Sequence, residues 1–345
     1  MQKSLAKRPK ILSDVLLYRH TRRDFCIMKG RQIMRTKEEM IKSVMIGHAV
    51  GDALGVPVEF CAREALEADP VTDMRGYGSY PVPAGAWSDD TSMSLAALDS
   101  LSKGKIDYED IMRNFVKWAK LDDYTPTGEM FDIGVTCKYA IMNFLYGTDA
   151  LLCGQSHENA NGNGSLMRIH PFVLMTFFCA NLRDGWETVV ENGSRLTHSH
   201  ERSLLACKIY ARVLWALLEK PSRKSVQEAL AASMKCYTDS AEYAAYARLF
   251  SSGFEQLPTC EIRSSGYVVD TLEAALWCLF TTETYAACVL KAVNLGSDTD
   301  TVAAVAGGLA GALYGYEAIP REWRETLIKR DYIERMCETA AQIWE

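Results

Sequence analysis

The chain has 345 residues, of which 48% are hydrophobic and 24% charged, and carries a formal net charge of −6. Apolar content at this level can offset chain entropy, so disorder is excluded as a description of the whole. The longest uncharged apolar run, Val302 to Tyr314, falls short of the roughly 20 residues that cross a bilayer, which excludes a membrane span.

Residues 1–36 hold ten Lys and Arg against Asp14 and Asp24, a net of +8, which leaves −14 on residues 37–345. A basic arm is thus attached to an acidic body. Ile11, Leu12, Val15, Leu16 and Leu17 set an apolar patch beside the positive charge, a composition suited to binding a protein partner. A plain tail, or a start at Met28, Met34 or Met40, accounts for the arm as well, and Pro9, Asp14 and Asp24 disfavour a transit peptide. Nucleic-acid binding is not expected of an acidic body. The eleven cysteines form no C-x-x-C pair, and no apolar leader with a cleavage site opens the chain, so free thiols in a reducing cytoplasm are expected.

From Thr36 onward the pattern is helical. Thr36 and Glu39 form a capping box ahead of Met40, Ile41, Val44 and Met45. Ile111, Met112, Phe115, Val116 and Ala119 make a second stripe, and Leu204 to Leu218 a third that Pro221 ends. Asp270 with Glu273 opens a helix through Leu279, and Tyr285 to Val293 forms another closed by Gly296. No stretch sustains a period of two, so residues 37–345 are expected to form a single, all-α, multi-helix domain. Within it Gly47, Gly51 and Gly55 are four apart, as are Gly307, Gly311 and Gly315. Each interior helical glycine costs about 1 kcal/mol relative to alanine, so something must come close there: another backbone or a ligand.

Two acidic clusters precede apolar helices, Ser88-Asp89-Asp90-Thr91 and Asp298-Thr299-Asp300-Thr301. Each alone serves as a helix cap. Together with Glu59 they supply five carboxylates, and like charges about 4 Å apart repel by about 4 kcal/mol per pair at an effective dielectric near 20. A compensating cation is expected if the clusters meet, and an all-oxygen ligand set suits Mg²⁺ or Mn²⁺ rather than zinc. Asn161 to Arg168, NGNGSLMR, reads as a connecting loop whose N–H groups could cradle a phosphate. Each histidine of Thr197-His198-Ser199-His200 is either structural or, for His198, a ligand contact.

The stretches GDALGVPVE (51–59), GAWSDDTSM (85–93), NGNGSLMR, LTHSH (196–200), SGYVVDTLEAALW (265–277) and VNLGSDTDTVAAVAGGLAGALYG (293–315) together resemble the ADP-ribosylglycohydrolases. That family includes the dinitrogenase reductase-activating glycohydrolases and the ADP-ribosylarginine hydrolases. The resemblance runs from Met40 to Gly315 and implies an all-α fold around a cleft holding two divalent cations, Mg²⁺ or Mn²⁺. It implies Ser88, Asp89 and Asp90 as ligands from the first cluster, Asp298, Asp300 and Thr301 from the second, and Glu59 beside the scissile bond. Asp89 or Asp90 would take the proton of the attacking water. Asn163, Gly164, Ser165 and Met167 would hold the pyrophosphate of ADP-ribose, with His198 and Tyr267 lining the cleft. Ser297 departs from the glycine common at its position. The implied partner is an ADP-ribosylated protein, with arginine the favoured linkage. Because some bacterial members resembling this chain counter ADP-ribosyltransferase toxins, an arm that blocks a transferase would make it an immunity protein, and the alternative class is a binding inhibitor.

Overall fold

The computed structural model describes residues 35–344, so the expectations for the basic arm, apart from Arg35 and Thr36, lie outside the described residues. Fourteen α-helices and several short 3-10 turns make up the regular structure among them. The pairing of extended backbone is limited there to two isolated bridges, Gln155 with His198 and Gly162 with Tyr267. The expected all-α architecture is therefore observed.

Helix α1 (Lys37–Gly55) starts at the expected capping box: the Thr36 hydroxyl accepts from Glu39 N, and the Glu39 carboxylate accepts from Thr36 N at 2.7 Å. It lies along α12 (Thr299–Tyr314), and the two form the centre of the molecule, buried over nearly all their length. The glycine stripes explain how close they come. A Cβ built on Gly47 would fall 2.5 Å from the carbonyl oxygen of Gly307, and one on Gly51 would strike the carbonyl of Ala303. The backbones are in contact, so tight helix packing is the role of Gly47, Gly51, Gly307 and Gly311. Gly315 has another role, ending α12 at φ 93°.

Around this pair pack α3 (Asp89–Leu101), α8 (Glu201–Glu219), α10 (Val268–Phe280), α11 (Tyr285–Val293) and α14 (Arg330–Ile343). The stripe read at Ile111 to Ala119 belongs to α4 (Tyr108–Leu121), which turns Ile111, Met112 and Phe115 inward against α3. One boundary differs from the sequence reading. α10 begins at Val268 behind Tyr267, which makes no side-chain cap, and Asp270 and Glu273 are not a capping box. Asp270 instead accepts from the Ser265 hydroxyl at 2.6 Å, and Glu273 pairs with Arg248. Tertiary partners have taken the oxygens that the local pattern offered to the helix end.

Candidate active site

Two helix starts and one helix end converge to build an acidic basin. Ser88 caps α3: its hydroxyl accepts from Asp90 N at 3.3 Å and lies 3.3 Å from the Asp90 carboxylate. That places Asp89 and Asp90 in the first turn, both buried. Asp298 stands at the start of α12 without a side-chain cap bond to it, and Asp300 follows two residues on, in the first turn and buried. At the end of α1, Gly55 packs so tightly on Asp300 that any side chain there would strike its backbone. The Thr299 hydroxyl donates to Gly55 O at 2.8 Å and locks the two helix ends together.

Carboxylate oxygens of Asp52, Asp90 and Asp300 lie within 4.8 Å of one another, as do those of Glu59, Asp298 and Asp300. The two clusters and Glu59 therefore meet, and Asp300 belongs to both groups. No Lys or Arg among the described residues lies within ion-pair distance of these acids. Burial is the main reason Glu59 is pushed up to about 8, with Asp132 adding to it. Burial likewise raises Asp52 to about 6 and holds Asp89, Asp90 and Asp300 well above the ordinary carboxylate range, the acids reinforcing one another. Glu59 Oε2 and Asp90 Oδ1 are buried without a hydrogen-bond partner. Orphaned acceptors in an all-oxygen, uncompensated acidic basin are what a hard divalent cation would satisfy, so these residues fit such an ion.

Asp52 is the member that the sequence reading did not single out, although it lies inside the quoted stretch GDALGVPVE. Its carboxylate accepts from Ser88 N at 2.9 Å and from the N–H and hydroxyl of Thr91 at 3.0 and 2.6 Å, tying α1 to the first turn of α3. Asp132 and Tyr80 are two more neighbours without a sequence signal. Asp132 is the largest charged influence on Glu59 and Asp89, and Tyr80 lies beside both Glu59 and Asp132. Asp89 is oriented by Gly134 N, 3.3 Å away. Thr301 is buried in the first turn of α12. Ser297 takes φ 65°, the left-handed region, which explains why glycine suits this turn; the serine is held by Cys61 and Phe60 backbone bonds of 2.8 and 2.7 Å.

The loop 161–168 borders the same basin. Asn163 Nδ2 donates to Asp298 at 2.8 Å and to Thr271 at 2.9 Å, so loop and second cluster are directly joined. Gly162 bridges to Tyr267, whose ring lies 5.8 Å from the Arg202 guanidinium. A Cβ on Gly164 would come within 3.0 Å of the His198 ring, which places His198 behind the loop. Met167 is buried, with its carbonyl facing Ser94. The Ser165 hydroxyl is turned inward to Ser194 at 2.9 Å and Cys207 at 3.6 Å, leaving its main chain as the part able to face a ligand. A separate trio, Glu158, His200 and Glu242, carries its own cation: Arg202 reaches both glutamates at 2.6 Å.

A family model described as ADP-ribosylglycohydrolase matches residues 34–345, so fold and match together define an all-α hydrolase. The chain belongs to the ADP-ribosylglycohydrolase family. It is 33% identical over 316 residues to "ADP-ribosylarginine hydrolase Tri1" of Pseudomonas putida, covering 90% of this chain and 81% of that protein. It is 33% identical over 285 residues to "ADP-ribosyl-[dinitrogen reductase] glycohydrolase" of Rhodospirillum rubrum, covering 82% of this chain and 88% of the relative. Among solved structures, an "ADP-ribosylglycohydrolase-related protein complex" superposes with a TM-score of 0.76 at 28% identity, covering 90% of this chain and 99% of that one. No helix among the described residues is long and apolar enough to cross a membrane.

Proposed function

We propose that this protein removes mono-ADP-ribose from a modified protein side chain, with arginine as the favoured linkage, in a reaction dependent on Mg²⁺ or Mn²⁺. The observation that carries this reading is the convergence of both carboxylate clusters and Glu59 on a loop joined to them through Asn163 and Asp298. The similarity to an ADP-ribosylarginine hydrolase supports the choice of linkage.

Ser88, Asp90, Asp298, Asp300 and Thr301, with Glu59 and Asp89 alongside, would hold two divalent cations, whose chemistry here is to polarise water and orient ribose hydroxyls. The loop 161–168 holds the pyrophosphate through its backbone N–H groups, and Tyr267 and His198 line the ADP-ribose cleft. Water adds to the anomeric carbon while the C–N bond breaks, and the bonding pair leaves on nitrogen. The carboxylate of Asp89 or Asp90 takes the water's proton and returns it to the departing guanidine, so free ADP-ribose and unmodified arginine result. Positive charge that develops on the ribose in between faces the surrounding carboxylates, which stabilise it.

The test is release of ADP-ribose from an arginine-ADP-ribosylated protein with Mg²⁺, Mn²⁺ or chelator. Release that needs metal and disappears in Asp89→Ala and Asp298→Ala supports the reading; none in any condition from folded protein overturns it. A role for residues 1–36 in gripping an ADP-ribosyltransferase, with the enzyme acting as an immunity protein in the cytoplasm, is a separate proposal. Deleting those residues leaves turnover intact and removes salt-sensitive transferase binding if it holds.

A further inference from the structure

Arg168 is fully buried, and no carboxylate lies within ion-pair distance of it among the described residues. Its guanidinium sits 4.9 Å over the Phe115 ring, donates from Nη1 to Gly193 O at 2.9 Å, and donates from Nη2 to the Thr197 hydroxyl at 2.6 Å. That hydroxyl is in turn 2.8 Å from His198 Nδ1. Arginine can only donate, so the Thr197 oxygen is an acceptor in the first bond and has one proton of its own to place. Given to His198 Nδ1, that proton completes an unbroken run of donors and acceptors. In the opposite arrangement Nδ1 donates, Thr197 receives two donors, and its proton is left to the thiol of Cys137, a poor acceptor.

The rest of the geometry fixes the ring in place. His198 N donates to Ser194 O at 2.8 Å, and the Ser194 hydroxyl donates to His198 O at 3.0 Å. On the loop side, Cβ atoms on Gly162 and Gly164 would lie 3.7 and 3.6 Å from Nε2, and one on Gly164 would come within 3.0 Å of Cε1, so the Nε2 edge of the buried ring faces the loop and a side chain at 164 would crowd it. Nε2 makes no hydrogen bond among the described residues. Burial first, and the Arg168 charge second, hold the imidazole neutral by pushing its pKa down to about 3.

We propose that Arg168 and Thr197 are positioning residues whose hydrogen-bond relay locks His198 as the Nε2–H tautomer and presents that N–H to an anionic oxygen of the ligand held by the loop 161–168. This rests on the reading of that loop as the pyrophosphate side of an ADP-ribose cleft. Lysine at 168 would supply charge without the two-pronged fork that reaches Gly193 and Thr197 at once.

The experiment is a two-bond ¹H–¹⁵N correlation spectrum of the full-length protein, with His198 assigned by its loss in His198→Gln. It is paired with ADP-ribose titrations and steady-state kinetics of Thr197→Val and Thr197→Ser. A pyridine-type Nδ1 and pyrrole-type Nε2 at His198 are expected in the wild type. Thr197→Val should mix or invert the tautomers and weaken ADP-ribose binding and KM about tenfold with kcat nearly unchanged, the worth of one hydrogen bond to a charged group, and Thr197→Ser should restore both. A wild-type His198 with its proton on Nδ1 overturns the relay. So does a folded Thr197→Val that keeps both tautomer and affinity, which would leave Arg168 as a core tie alone. The spectrum needs no catalysis and decides even if Thr197→Val does not fold. Wild-type protein that has the Nε2–H tautomer but neither binds ADP-ribose nor releases it would instead sink the proposed function.

Discussion

Two regions on either side of the loop 161–168 bury charge without an opposite charge from the protein, and they do so in opposite senses. The basin at the start of α3 and α12 gathers Asp52, Glu59, Asp90, Asp298 and Asp300 with no facing cation among the described residues. The pocket behind the loop buries Arg168 with no facing carboxylate. Stability alone would favour pairing or replacing such groups, because uncompensated buried ions are expensive. The difference matches the roles proposed above, cations at one wall and, through Thr197 and His198, anionic oxygens at the other, as a molecule carrying a pyrophosphate and a ribose would need.

The contrast breaks most completely at Asp300, the acid shared by both carboxylate groups. Asp300→Ala is expected to cut ADP-ribose release by about 10²–10³-fold or more, while its melting temperature in chelator holds or rises because repulsion in the basin is relieved; a melting curve beside the kinetic assay checks both. Asp52→Asn comes next. Asp52 positions Ser88 and Thr91, so the expected loss is about 10–100-fold in metal affinity, read by calorimetric titration. On the opposite wall, Arg168→Lys is expected to raise KM about tenfold with a smaller change in kcat, since one donor of the fork is lost.

The smallest effect sharpens the comparison through pH. Glu59 is raised to about 8 from an ordinary 4.5, and Asp52 to about 6 from 3.8. A carboxyl with a raised folded-state pKa favours the fold below its unfolded value, and that support is lost as pH climbs through the folded value. In chelator the melting temperature should therefore fall by a few degrees as pH rises from about 4.5 to about 8. With saturating Mg²⁺ the fall should be absent, since a bound cation favours the ionised acids. Identical curves in both buffers would show that the basin holds no ion.

Much of this was legible in the sequence because each signal was local. Thr36 and Glu39 close the capping box they predict, and the stripe through Phe115 faces inward. The acidic clusters were visible as more ligand capacity than a cap uses, and Asp298, which makes no side-chain cap bond, shows where that surplus goes. What escaped were residues whose meaning is tertiary. Asp52 sits in the last turn of α1 among small and apolar neighbours, and only the fold reveals that it reaches across to α3. Asp132 and Tyr80 stand in loops without periodicity. Asp270 and Glu273 had the spacing of a cap and found other partners. Arg168 ends a motif that reads as a loop, and nothing in its spacing announces a buried cation.

The seam between α1 and α12 also governs when the protein can come into being as a catalyst. The bond from Thr299 to Gly55 joins residues 244 positions apart, and the basin is completed by acids on both sides of it. A nascent chain that has made α1 and α3 already holds Asp52, Asp89 and Asp90, yet it lacks the neighbour whose backbone fills the glycine groove. Closing so distant a contact is slow relative to local helix formation, so those early carboxylates must wait, exposed, until α12 emerges. Activity should accordingly appear in a single late step during synthesis, and any chain that stops before Asp298 should offer a ribosome or protease an open groove rather than a weakened enzyme.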